Sequence, residues 1–126
     1  MNSTKFLVTG GAGFIGSNIV SELLKQGHSV RVLDNFSSGK RENLKNFDKD
    51  FELIEGDIRS YHIVSEALKD IEVVLHQAAL PSVPRSIKDP ITSNEVNVNG
   101  ILNILEASLS ANVRRVVYAS SSSVYG

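Results

Sequence analysis

The 126-residue sequence predicts an α/β domain, a doubly wound parallel sheet of about five strands with helices on both faces. Three observations carry this expectation. Short uninterrupted apolar runs alternate with stretches whose apolar residues recur at helical spacing, the pattern of buried parallel strands joined by helical crossovers. The first of those runs stops at a cluster of glycines that leads directly into a helical pattern. The composition, 41% hydrophobic and 21% charged with a net charge of −1, is that of a folded globular domain rather than a disordered chain.

Taken in order, Lys5 to Thr9 (KFLVT) reads as a buried strand closed by Gly10-Gly11. From Phe14 the residues Ile15, Ile19, Val20, Leu23 and Leu24 recur at helical spacing, and Gly27 ends that helix. Ser29 to Asp34 (SVRVLD) is a second strand, followed by a turn-rich loop over Asn35 to Gly39 and a short helical excursion over Arg41 to Phe47. Phe51 to Ile54 is a third strand, ending before Gly56-Asp57. Ile63, Val64, Ala67 and Leu68 form one face of a second helix. Glu72 to Ala78 (EVVLHQA) is a fourth strand centred on Val73-Val74-Leu75. Asp89-Pro90 suits a helix start, because the Asp side chain can accept from free N–H groups and proline lacks only a donor the first turn does not use. That helix continues through Val98, Ile101, Leu102, Leu105 and Leu109, and Arg115 to Ala119 (RVVYA) is a fifth strand. The expected strand order is 3-2-1-4-5 with right-handed crossovers, a Rossmann-like sheet truncated before its usual sixth strand.

Several functional classes are excluded or disfavoured at once. There are no cysteines, which removes disulfides, thiol nucleophiles and thiolate metal sites and fits a cytoplasmic protein. His28, His62 and His76 show no metal-ligand spacing, so no metal is expected. No apolar run approaches the roughly 18 residues of a membrane span, and the N-terminus lacks the pattern of a secretory signal. A near-neutral charge disfavours nucleic acid and membrane surfaces as partners. His76, within a buried strand, is expected to be a core histidine with its hydrogen bonds satisfied.

The segment Gly10-Gly11-Ala12-Gly13-Phe14-Ile15-Gly16 satisfies both GxGxxG and GxxGxxG between a strand and a helix. Glycine suits each task there: a tight turn, close approach of backbone to a diphosphate, and close helix–strand packing. The helix N-terminus adds free N–H groups and about half a positive charge. It is not a P-loop, since Ser17 follows Gly16 with no lysine to reach a terminal phosphate. Asp34 ends the second strand eighteen residues after Gly16, where an acid accepts from the adenosine ribose hydroxyls and repels a 2′-phosphate. NAD is therefore expected over NADP. Lys40 and Arg41 are the nearby cations that could accommodate such a phosphate, and read more simply as a solvated face.

Together, TGGAGFIGS, Asp34-Asn35, Gly56-Asp57-Ile58-Arg59, His76-Gln77-Ala78-Ala79 and the closing SSSSVYG resemble the extended short-chain dehydrogenase/reductases of the NAD-dependent epimerase/dehydratase family. Within it they are most similar to UDP-glucose and UDP-N-acetylglucosamine 4-epimerases, and QAALPSVPRSIKDP (Gln77 to Pro90) carries the finer likeness. The resemblance implies that the chain is the NAD-binding N-terminal part, residues 1–126, of a longer enzyme. It implies that Gly10, Gly13 and Gly16 shape the turn and that Phe14 and Ile15 offer backbone N–H groups to the diphosphate. Asp34 and Asn35 would hold the adenosine ribose, with Ser38 and Gly39 lining that corner. Asp57 would accept from the adenine amino group with Ile58 packing on the base. Gln77, Ala78 and Ala79 would line the middle of the cofactor, with Asn97 nearby. Ser82, Ser121 and Ser122 would face the sugar, although Pro81 removes a main-chain donor beside Ser82. Full-length relatives pair as homodimers through helices of this domain, which implies the same here.

The chemistry the resemblance implies is inversion at C4 of a UDP-sugar through a transient 4-keto sugar, with hydride passing to NAD and back. It requires a Tyr base, a Lys four residues later that lowers the phenol's pKa, and a hydroxyl after the fifth strand. Ser121 is assigned that hydroxyl. No Tyr-x-x-x-Lys occurs: Tyr61 is followed by Ser65 at that spacing, Tyr118 by Ser122, and Tyr125 only by Gly126. The catalytic pair and the substrate domain are thus expected outside these residues, and the chain alone is expected to be inactive. Ser122 and Ser123 stand where related dehydratases and decarboxylases carry acids, which favours epimerisation. The alternatives are another NAD(P)-dependent nucleotide-sugar reductase or dehydratase, or a non-catalytic dinucleotide-binding module.

Overall fold

The computed structural model describes residues 3–36, 39–45, 51–77 and 98–118. Five strands, β1 (Lys5–Thr9), β2 (Ser29–Asp34), β3 (Glu52–Glu55), β4 (Val73–His76) and β5 (Arg115–Tyr118), form one sheet in the order β3-β2-β1-β4-β5. Every neighbouring pair is parallel. Among the described residues, three α-helices lie between them: α1 (Phe14–Lys25), α2 (Tyr61–Ala67) and α3 (Gly100–Ser110).

Period-two alternation in the central strands sends successive side chains to opposite faces. Leu7, Leu33 and Val74 face one core, packed with Val64, Ala67 and Leu68 around α2 and with Ile104 and Ala107 of α3. Val8, Val30 and Val32 face the other, closed by Val20 and Leu24 of α1. Strands buried on both faces have no polar side to alternate with, which explains the unbroken apolar runs. The edge strand β3 is mostly exposed and carries Glu52 and Glu55, charges that discourage pairing with another chain.

The limits expected for β1 and β2 coincide with those observed, as does the start of α1 at Phe14. β3 begins one residue later than expected, at Glu52, which lies in register with Arg31 and binds its guanidinium. β4 is shorter than the expected Glu72 to Ala78. The excursion after Gly39 is a single 3-10 turn over Arg41–Leu44, anchored by the buried Leu44. α2 starts where the Ser60 hydroxyl accepts from Ile63 N–H at 3.4 Å. The start expected at Asp89-Pro90 lies outside the described residues.

The amino end of the sheet is held by one cation. Arg31, only 7% exposed, donates from Nη1 to the carbonyls of Ala67 and Lys69, both at 2.8 Å, and so satisfies acceptors left over at the end of α2. Its Nε and Nη2 reach Glu52 Oε2 at 3.2 and 3.1 Å, and Lys5 Nζ lies 3.4 Å from the other oxygen. Burial pushes the Glu52 carboxyl up, but the attraction of Arg31, joined by Lys5, outweighs it and holds it below the usual range. Arg31→Met keeps most of the apolar stem and strands one buried and one partly buried carbonyl, so it is expected to cost about 2 kcal/mol of stability by urea unfolding.

Candidate functional site

The site lies at the carboxyl ends of β1, β2 and β4, where the connections from the adjacent strands β1 and β4 run towards opposite edges of the sheet. β1 runs into Gly10–Gly13, and α1 begins at Phe14. Gly13 N–H donates to the Gly10 carbonyl at 3.1 Å, and Ser17 N–H to the Gly13 carbonyl at 2.8 Å. The backbone N–H groups of Phe14, Ile15 and Gly16 have no acceptor among the described residues. The Phe14 and Ile15 side chains point outward, 79% and 64% exposed, so the mouth of the helix presents backbone. Any Cβ at Gly16 would collide with the Gly10 carbonyl oxygen, which is why the helix can lie this close to the turn only with glycine there.

Asp34 closes β2 beside this turn and is 8% exposed. Its Oδ2 accepts from Ala12 N–H at 2.9 Å and its Oδ1 from Phe36 N–H at 2.7 Å. Each oxygen keeps a further lone pair, so the carboxylate can both brace the glycine-rich turn and accept from a diol. The nearby cation Arg41 is engaged elsewhere: it pairs with Glu55, and its guanidinium carbon lies 4.2 Å over the Phe36 ring.

Beyond β3, Asp57 Oδ1 accepts from Arg59 N–H at 2.9 Å, and Oδ2 from Arg59 Nε and Nη2 at 3.0 and 2.6 Å. These side-chain bonds hold the Asp57 carboxyl below its ordinary value, against the opposing effect of burial, and Asn35 adds a further hydrogen bond. The turn therefore links Asn35 to Asp57, two positions the sequence reading assigns to ribose and adenine. Ile58 behaves differently from the expectation that it packs on a base. It is 4% exposed, with its side chain seated in the core against Gly100 of α3, and little of it remains to lie against a ring. Its carbonyl accepts from Asn103 Nδ2 at 2.9 Å.

At the end of β4, Gln77 N–H donates to the Thr9 carbonyl at 3.0 Å and to Thr9 Oγ1 at 2.9 Å. Thr9 Oγ1 also shares a 2.7 Å hydrogen bond with His76 Nδ1. The imidazole is 2% exposed and half satisfied, since Nε2 finds no partner among the described residues. Burial drives its pKa down to about 4, so it is neutral at pH 7. Thr9, Asn43 and Asn103 are structural contributors that periodicity did not single out. A polar residue ending an apolar strand was a usable signal for Thr9, whereas the partners of the two asparagines are visible only in three dimensions. Ser38, Ala78, Ala79, Ser82, Asn97, Ser121 and Ser122 lie outside the described residues. Gly39 lies against Ala12. Among the described residues no cluster of His, Asp or Glu could hold a metal ion, and no helix is long and apolar enough to cross a membrane.

An open helix N-terminus, a glycine-lined turn and an acid at the end of β2, joined at the point where the strand order reverses, define a dinucleotide-binding domain of the Rossmann type. Residues 6–126 match the model of the NAD dependent epimerase/dehydratase family. The chain is 43% identical over 124 residues to UDP-glucose 4-epimerase of Lactobacillus helveticus, covering 97% of this chain and 37% of that protein. The Thermus thermophilus UDP-glucose 4-epimerase, solved with NAD, superposes with a TM-score of 0.85 at 44% identity, over 93% of this chain and 37% of that one. The UDP-N-acetylglucosamine 4-epimerase from Methanobrevibacter ruminantium, solved with UDP-N-acetylmuramic acid, gives 0.89 at 40% identity, over all of this chain and 40% of that one. The chain belongs to the NAD-dependent epimerase/dehydratase family, whose cofactor is NAD, and it spans less than half the length of these relatives.

Because His76 is held neutral, an unfolded chain takes up a proton below pH 6.5 that the folded one refuses until about pH 4. Stability is expected to fall as pH drops through that window, by up to about 3 kcal/mol. His76→Asn should remove this slope in urea unfolding measured between pH 7 and 4, leaving the further acid loss from Glu52 and Asp57.

Proposed function

We propose that this chain is the NAD-binding part of a nucleotide-sugar 4-epimerase acting on a UDP-hexose or UDP-N-acetylhexosamine. The observation that carries the reading is the set of free N–H groups at Phe14, Ile15 and Gly16, braced beside the Asp34 carboxylate. Names of the relatives support the sugar class.

In this reading Gly10, Gly13 and Gly16 let the backbone approach a diphosphate, which the helix N–H groups and the helix dipole hold. Asp34 and Asn35 orient the adenosine ribose, with Ser38 and Gly39 beside them. Asp57, kept ionised by Arg59, accepts from the adenine amino group, and Ile58 supports that turn from the core. Gln77, Ala78, Ala79 and Asn97 line the remainder of the cofactor's path. Bound NAD supplies a reversible two-electron acceptor, which is what inversion of a carbinol carbon without net redox requires. Ser82 and Ser122 face the sugar, and Ser121 hydrogen-bonds the reacting oxygen and shares its proton with a base outside this chain. We assign the exposed stripe of Leu102, Leu105 and Leu109 on α3 to a second copy of the whole protein.

The reading is tested on the full-length gene product by following C4 of UDP-glucose and UDP-N-acetylglucosamine by NMR. Inversion without net change in nicotinamide absorbance is expected, and a net change would replace the epimerase with a reductase. The 126-residue chain alone is expected to bind NAD and turn over neither sugar. Asp34→Asn in that chain should weaken NAD by roughly tenfold, the worth of a charge-assisted hydrogen bond, and narrow its preference over NADP in calorimetric titrations.

A further inference from the structure

We propose that Asn43 is a positioning residue for the diphosphate, acting through Ala12. Ala12 is the only non-glycine in Gly10–Gly13, and it is fully buried. Three hydrogen bonds converge on it from the end of β2 and the loop beyond. Its N–H donates to Asp34 Oδ2 at 2.9 Å. Its carbonyl accepts from Lys40 N–H at 3.0 Å and from Asn43 Nδ2 at 2.8 Å. The loop that supplies the last two donors is itself pinned. Gly39 lies so near that a Cβ there would come within 2.8 Å of the Ala12 carbonyl carbon. Asn43 N–H donates to the Lys40 carbonyl at 3.0 Å, and the adjoining Leu44 is buried in the same core as Ala12, Val20 and Val32.

The consequence lies in how the turn enters the helix. Gly13 caps α1 in an extended conformation (φ −74°, ψ 171°), so helix bonding starts with Ser17 N–H on the Gly13 carbonyl, and the N–H groups of Phe14, Ile15 and Gly16 have no acceptor among the described residues. The peptide that leads into this cap is held through the Ala12 carbonyl, which Lys40 and Asn43 both engage. Asn43 thus fixes the direction in which the three open N–H groups face. A backbone donor at Lys40 alone leaves one carbonyl lone pair unclaimed, and the amide of Asn43 occupies it.

This inference rests on the proposed seat of the diphosphate at the start of α1. It is tested with the 126-residue chain carrying Asn43→Asp, which sets an acceptor against an acceptor, and Asn43→Ala, which deletes the donor. Affinities for NAD, ADP and adenosine are read from amide NMR titrations, with thermal unfolding of each variant. The expected result is a loss of about tenfold for NAD and ADP in Asn43→Asp, a smaller loss in Asn43→Ala, and adenosine affinity unchanged within about twofold. Unfolding midpoints should move by a few degrees, leaving both variants folded. ADP affinity within about twofold of the parent in both variants overturns the inference, as does an equal loss for adenosine and ADP. Unfolding of both variants at the titration temperature assigns Asn43 to folding and overturns it too. If the parent chain fails to bind ADP, the proposed seat falls and the inference with it.

Discussion

The geometry of the site depends on one buried carboxylate. Asp34 ends a strand whose core residues are mostly apolar, and it finds two backbone donors, Ala12 N–H and Phe36 N–H, one for each oxygen. A charge taken out of water needs such partners, and backbone amides provide them at fixed positions. Since one donor belongs to the turn after β1 and the other to the turn after β2, the same group that would meet a ribose also sets the distance between the two loops around it. In the proposed reading, support and recognition are thus combined in one side chain, so that neither can be altered alone.

From that carboxylate the arrangement spreads in two layers. On one face of the sheet, α1 packs on Val8 and Val32 and brings its open end to the glycine turn. On the other, α2 and α3 cover Leu7, Leu33 and Val74, and α3 reaches under the next turn with Asn103 and Gly100. The β3–α2 turn is therefore held from below by the core and from the side by Arg59 on Asp57. The carboxyl ends of the strands are ordered by hydrogen bonds to main chain, more than by packing.

Much of this was legible in the residues because it is local. Alternating apolar runs and helical spacing marked β1, β2 and the start of α1 to the residue, and the strand order followed from strand–helix repetition. The places of the glycine turn after β1 and of Asp34 at the end of β2 were legible for the same reason: both rest on particular residue types at short spacing. What escaped has partners far along the chain. Asn43 meets Ala12 across 31 positions, Asn103 meets Ile58 across 45, and Arg31 meets Ala67 across 36. No periodicity encodes such pairs. The family resemblance assigns Ile58 to a base, yet an isoleucine opposite a glycine of α3 has more apolar surface to gain by turning inward.

The Arg31 clamp has a further meaning for how such a domain can change. It binds β2, β3 and the tail of α2 at the end of the sheet remote from every residue assigned to ligand. Rigidity secured there does not depend on the identity of the turns at the opposite rim. Residues of those turns can change without touching the guanidinium or its carbonyl acceptors, provided the Asp34 brace and the close-packed Gly16 and Gly39 are kept. A scaffold anchored at its base leaves its crown to carry whatever differs between one ligand and the next.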